Sequence, residues 1–217
     1  MSLSKVTTTQ SPLRWRGFQE VFALLLILAL IVLVMSQLSS AFMTGRNLSN
    51  LLLDATTVGI IAVFSTMLMI SGGLDLSVAS NAALCGVVIG VLQEPLGLWP
   101  AVLIALVTGT LVGFINGFVV TYIGINPLIA TLGMLSIARG LAFVFANGLT
   151  IPVFDLTGEN PEPYLAFAQL SEGRFLGLAY PVWLMLALFV IGFIILRQTS
   201  YGRAMYAIGG NEEASRL

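Results

Sequence analysis

Ser71-Gly72-Gly73-Leu74-Asp75-Leu76-Ser77 stands between two apolar runs, Leu51 to Ile70 and Leu76 to Leu92. Each run is close to the length that crosses a bilayer core, about 20 residues. Glycine costs a helix roughly 1 kcal/mol against alanine, and two adjacent glycines beside an aspartate are poor helix formers. The chain therefore breaks here and carries a carboxylate into or beside lipid. Such a group faces inward, is paired, or is solvated. Two readings follow. Asp75 caps the next helix at a tight surface turn, or the break is a discontinuous helix lining a passage, where irregular backbone is tolerated at membrane depth.

Composition carries the class outward from this stretch. Hydrophobic residues make up 58% of the chain, charged residues 9%, and the mean hydropathy is +1.00. Soluble domains hold about 25% charged residues, so most of this chain is solvated by lipid. A net charge of −1 argues against nucleic acid as a partner. With no histidine and the single Cys85, a His- or Cys-based metal site and an internal disulfide are excluded. Lys5 is the only lysine, so no GxxxxGK[ST] phosphate loop exists in this sequence. ATP, if used, is bound by another subunit, and no cofactor is expected in this chain.

Hydropathy predicts an all-α polytopic bundle of about six spans, at roughly 21–38, 51–70, 76–92, 101–122, 128–146 and 179–196. Residues 1–20 form a polar tail. The run after it reads as a first transmembrane helix rather than a secretory signal peptide, because five more spans follow. Residues 147–178 form a polar loop in which Pro152, Pro161 and Pro163 allow only short helices. Asp54 reads as a boundary residue near the start of the second span. Ala82, Gly86 and Gly90, and again Gly109, Gly113 and Gly117, recur at spacing four. Such small-residue ladders favour close helix packing. Asn126-Pro127 marks a turn, with proline suited to a first helical position. Arg139 lies twelve residues further on, about 18 Å along a helix, and must face protein or water.

Lys5, Arg14, Arg16, Arg197, Arg203 and Arg216, six of the nine cations, fall on one side of this arrangement. The other side holds Arg46 and Arg174 with Glu94, Asp155, Glu159, Glu162 and Glu172. The positive-inside rule then puts both termini in the cytoplasm.

Three strings together resemble the ribose-, xylose- and arabinose-type ABC sugar permeases. The first is Gly72-Gly73-Leu74-Asp75-Leu76-Ser77, and the second runs from Asn126-Pro127-Leu128-Ile129-Ala130-Thr131-Leu132-Gly133 on to Arg139-Gly140. The third, Thr199 to Ala214, is similar to the family's cytoplasmic coupling segment. The resemblance implies a bacterial inner-membrane subunit that pairs with a second permease copy or a sister permease. It also implies a cytoplasmic ATP-binding subunit and an extracytoplasmic sugar-binding protein. Members of the family continue past the coupling segment with several more spans. This chain ends at Leu217, as expected of an N-terminal piece or a truncated frame.

For a hydroxyl-rich solute the path residues expected on this reading are Gly72, Gly73, Asp75, Ser77, Asn81, Asn116, Phe118, Thr131 and Arg139. Thr66 and Phe143 are of similar chemistry, and all of these types also serve as packing. The resemblance assigns ATPase contact to Tyr201, Gly202, Arg203, Gly209, Gly210, Asn211, Glu212, Glu213 and Ala214. Gly209-Gly210 permits a sharp turn, and Asn211 is a good cap for a short helix after it. An ion-coupled secondary transporter or channel subunit is the alternative class, since it also uses broken helices and intramembrane ions. An intramembrane enzyme is disfavoured, because no paired carboxylates share membrane depth.

Overall fold

The computed structural model describes residues 13–151 and 162–215. Lys5, Pro152, Asp155, Glu159, Pro161 and Arg216 lie outside the described residues, as do the side chains of Arg14, Arg16 and Glu212. The chain divides into two compact units, one ending at Leu51 and the other running from Leu52.

In the first unit, α1 (Leu13–Leu38) is followed by the turn that opens α2 (Gly45–Ile70). Thr44 Oγ1 accepts the Asn47 N–H at 3.3 Å, and Asn47 Nδ2 donates to the Phe42 carbonyl at 2.8 Å. This capping satisfies donors that a helix start leaves without partners. It also starts α2 six residues before the expected Leu51. Asp54 therefore stands nine residues into the helix, about 14 Å from its start.

In the second unit α2 is followed by α3 (Val78–Leu96), α4 (Leu98–Phe118) and a wider π-type turn over Val119–Ile123. Then come α5 (Pro127–Phe145), α6 (Glu162–Glu172), a two-stranded hairpin β1 (Arg174–Phe175) and β2 (Leu178–Ala179), α7 (Tyr180–Gln198), α8 (Ser200–Gly210) and α9 (Glu212–Ser215). Six helices are long and apolar enough to cross a membrane, matching the six spans read from hydropathy. The architecture is an all-α multi-pass bundle.

The gap of 93–100 between the expected third and fourth spans shrinks to Gly97 alone, which has φ +84° and joins α3 to α4 directly. Pro100 falls in the first turn of α4, where its missing N–H leaves no gap. The loop after α5 contains the hairpin, which the sequence did not announce. Leu176 and Gly177 both have positive φ, 51° and 83°, the pattern of a tight I′ turn. Trp183 Nε1 donates to the Phe175 carbonyl at 2.9 Å and ties the hairpin to α7.

The core lies where α3 packs on α4 and α5, through Leu84, Val88, Ala105, Val112, Ala138 and Ala142. Alanines at the crossing points let the helices approach closely. On the other side of the unit, Met185 of α7 covers Gly59 of α2, and Val63 of α2 covers Gly192 of α7. Neither spacing-four ladder acts as packing throughout. A Cβ at Gly109 would stand 3.0 Å from Cys85 Sγ, and one at Gly90 would meet Ile151, whereas Gly86, Gly113 and Gly117 face open space. Equal spacing puts these glycines on one face of each helix, but only tertiary packing decides which stretch of that face is covered.

Candidate functional site

The break after α2 is built by its own backbone. Gly73 N–H donates to the Leu68 carbonyl and Gly72 N–H to that of Met69, both at 3.0 Å. Gly72 has φ +84°. This is the paired bonding that closes a helix through a left-handed residue. A Cβ at Gly73 would stand 2.8 Å from the folded-back Leu68 side chain. Gly72 is favoured by its φ, and a side chain at Gly73 would press on the flexible end of Leu68.

Beyond the glycines, Asp75 Oδ1 accepts the Ser77 N–H at 2.7 Å and the Ser77 hydroxyl at 2.6 Å. An aspartate bonding its backbone two residues on makes a local turn, and this one launches α3. Ser77 is 1% exposed, and its Oγ accepts from Asn116 Nδ2 of α4 at 2.9 Å. Two further polar rungs follow along the antiparallel α3–α4 seam. Asn81 Nδ2 donates to the Gly109 carbonyl at 3.1 Å, and Cys85 Sγ donates to that of Ala105 at 3.3 Å. Buried polar groups with partners specify a single helix register.

Two clefts open along this seam. The smaller, 230 Å³, is lined by Gly73, Asp75, Asn116, Gly117, Thr131 and neighbours. The larger, 730 Å³, is lined by Phe64, Asn81, Cys85, Gly109 and Thr110 among others. Gly113 lines both clefts. The ladder Gly109–Gly113–Gly117 thus forms a track of backbone shared between them. Thr131 is buried and donates its hydroxyl to the Pro127 carbonyl at 2.8 Å, leaving its oxygen lone pairs toward neighbours.

A third cleft, 660 Å³, has Ser71, Gly72, Thr121, Asn126, Ile208 and Ser215 in its wall. It joins the break to the α8–α9 segment. Thr199 Oγ1 accepts the Gly202 N–H at 3.1 Å and starts α8. A Cβ at Gly202 would overlap the carbonyls of Ile195 and Leu196, so glycine alone lets α8 fold back on α7. A Cβ at Gly209 would likewise overlap the Ile70 carbonyl, and the Gly209 Cα lies against the break beside Gly72. Gly209 and Gly210 are therefore helical, not the sharp turn expected of them. The bend falls at Asn211, whose Oδ1 accepts the Ala214 N–H at 3.0 Å and opens α9. Gly209 is required because α8 meets another backbone there, whereas a Cβ at Gly210 would meet nothing within 4 Å. Tyr201, Arg203, Glu213 and Ala214 are exposed.

Of the path residues singled out from sequence, Gly73, Asp75, Ser77, Asn116 and Thr131 gather at the smaller cleft or its wall, and Asn81 stands at the larger. Phe118 does not join them; its ring stacks on Tyr122 at 5.3 Å. Thr66 and Phe143 are exposed outside both clefts. Arg139 is exposed on α5 and has no hydrogen bond or ion pair among the described residues. Gly113 and Gly117 as cleft wall, and Cys85 as a rung, were missed; the second ladder was the signal for the two glycines.

Six helices long and apolar enough to cross a membrane, a broken entry to α3 and a helix folded against the break together define a multi-pass membrane protein. Residues 47–217 match the family described as branched-chain amino acid transport system / permease component, and the chain belongs to that family. It is a multi-pass protein of the bacterial inner membrane. It is similar to the L-arabinose ABC transporter permease protein of Azospirillum brasilense, with 38% identity over 81% of this chain and 50% of that protein. It is also similar to the ribose import permease proteins of Escherichia coli K12, 35% identical over 97% of this chain and 65% of the relative, and of Bacillus subtilis, 32% identical over 100% and 66%. The chain thus spans between half and two thirds of the length of these relatives. No solved structure matches it.

Proposed function

We propose that this chain forms part of the membrane path of an ATP-driven uptake system for a monosaccharide or similar small polar solute. Its partners on this reading are a cytoplasmic ATP-binding subunit, a second permease copy or sister permease, and an extracytoplasmic sugar-binding protein. The chain itself performs no catalysis and binds no cofactor. The observation that carries the reading is the seating of Gly209 of α8 on the Ile70 carbonyl beside Gly72. It links an exposed helix suited to a partner with the backbone that launches Asp75, Ser77 and the α3–α4 seam. A displacement of α8 would reach the cleft wall through rigid backbone contacts rather than through a floppy tail. The names of the ribose and arabinose relatives support a sugar as the solute.

The path residues are neutral donors and acceptors with one carboxylate, a set that hydrogen-bonds hydroxyls without requiring a charged ligand. The test is uptake in membrane vesicles. Uptake is expected to require ATP and a cytoplasmic ATPase partner and to survive collapse of the ion gradients. Uptake lost with the gradients and indifferent to ATP would instead assign an ion-coupled transporter.

The same reading puts the α8–α9 end of the bundle in the cytoplasm, in line with the cations around Arg197 and Arg203. Reporters fused after Glu20 and after Leu217 are expected to report cytoplasm, and one inserted near Asn160 the outside. An external signal from the C-terminal fusion would reverse the orientation.

A further inference from the structure

In the wall of the smaller cleft, the protein spends its side-chain protons on itself. Buried Ser77 has one hydroxyl proton, which goes to Asp75 Oδ1 at 2.6 Å. The Ser77 oxygen can then only accept, so the Asn116 amide turns its Nδ2 to it, at 2.9 Å. That leaves Asn116 Oδ1 on the other limb of a side chain only 6% exposed, with no hydrogen bond among the described residues. Asp75 Oδ2 likewise has none, because both bonds from Ser77 fall on Oδ1. Thr131 gives its proton to the Pro127 carbonyl at 2.8 Å and keeps its lone pairs.

Asp75, Asn116 and Thr131 line one cleft. On these three side chains only the second N–H of Asn116 Nδ2 is left to donate, and exposed Thr121 adds a hydroxyl that can turn either way. No cation stands among the described residues of that wall. The burial of Asn116 and Thr131 comes from this chain's own residues, so it holds in any larger assembly. A half-buried carboxylate and a buried amide oxygen without partners call for donors from outside the wall.

We propose that this cleft takes an uncharged polyol by its hydroxyl protons and refuses the acid form of the same sugar. A polyol supplies protons to three oxygens at once. A sugar carboxylate would instead bring a second negative charge beside Asp75, with no cation in the wall to offset it. The 230 Å³ of the cleft is the room of about eight waters, the scale of a small solute. Only the choice of a polyol as ligand rests on the solute path proposed above; the binding groups and the refused class follow from the protons already committed.

The test labels a cysteine in the cleft of the full chain, in permeabilised membranes without ATP or partner subunits. Gly117→Cys in a Cys85→Ser background is the reporter, since Gly117 lines this cleft and a Cβ there meets nothing within 4 Å. A cationic methanethiosulfonate is expected to react about tenfold faster than an anionic one, because a cleft of one charge sign concentrates the opposite ion. D-ribose or L-arabinose should slow the reaction, and D-ribonate and L-arabinonate should not. Asp75→Asn should abolish the preference for the cation and let the acids protect. Asn116→Leu, with Thr131→Val as a second variant, should weaken protection by the neutral sugars and keep the cation preference, since the charge is untouched. Equal rates for the two reagents, no reaction with either, protection by neither sugar, or protection by an acid while Asp75 is present overturns the proposal. So does sugar protection that survives both Asn116→Leu and Thr131→Val. ATP-driven uptake beside any of these failures would leave the proposed function standing. Labelling as expected, without ATP-driven uptake, would remove that function alone.

Discussion

Gly209→Ala is expected to abolish most uptake, and Gly210→Ala, one residue on, to leave it intact. The same methyl group is added in both variants. At Gly209 it would overlap the Ile70 carbonyl, whereas at Gly210 it would meet nothing within 4 Å. Alanine favours a helix over glycine by about 1 kcal/mol, so propensity alone predicts a gain at either site. Forcing an extra carbon into a tight contact costs about 1–3 kcal/mol. Here that cost falls on the seam between α8 and the break rather than on the membrane core. The protein should therefore remain in the membrane at normal levels while α8 lifts away. A drop in uptake of about tenfold or more is expected from the upper half of that range. Equal activity of the two variants would remove Gly209 from the coupling route.

The second large effect is expected at Asp75. Asp75→Ala removes the acceptor for both the Ser77 N–H and the Ser77 hydroxyl. Ser77 is buried, so its backbone donor is left without a partner, at about 1–3 kcal/mol. Its hydroxyl can turn, but Asn116 already donates to that oxygen. The launch of α3 and its register on α4 should loosen together, and the level of folded protein in the membrane should fall. Asp75→Asn keeps an Oδ1 in the same place and should restore the level. Its uptake then reports on the charge alone. Reduced uptake at normal level would mean that the cleft uses the carboxylate. Normal uptake would mean that Asp75 serves only to cap. An Asp75→Ala protein as abundant as the unchanged one would contradict the capping geometry.

Much of this protein was legible in its sequence because lipid is a demanding solvent. A helix must satisfy its own backbone in hydrocarbon, so long apolar runs read directly as six spans. The Gly72-Gly73 break was legible for a local reason: one glycine takes a positive φ and the other makes room for Leu68, and both needs are met within six residues. Asn211 as the cap of α9 was legible in the same way, since an Asn side chain reaches its own helix start.

What the sequence left open depended on contacts between distant segments. Spacing four was visible in Gly109–Gly113–Gly117, but only the position of α3 shows that Gly109 packs against Cys85 while Gly113 and Gly117 stay open. Gly209-Gly210 reads locally as a turn, yet it is helical, and Gly209 answers to the Ile70 carbonyl more than a hundred residues away. Asp54 reads as standing near the start of its helix until Thr44 starts that helix six residues earlier. Local chemistry determined where helices start, stop and break. Tertiary packing alone decided which faces are covered, and so which small or polar residues line a path and which hold the bundle together.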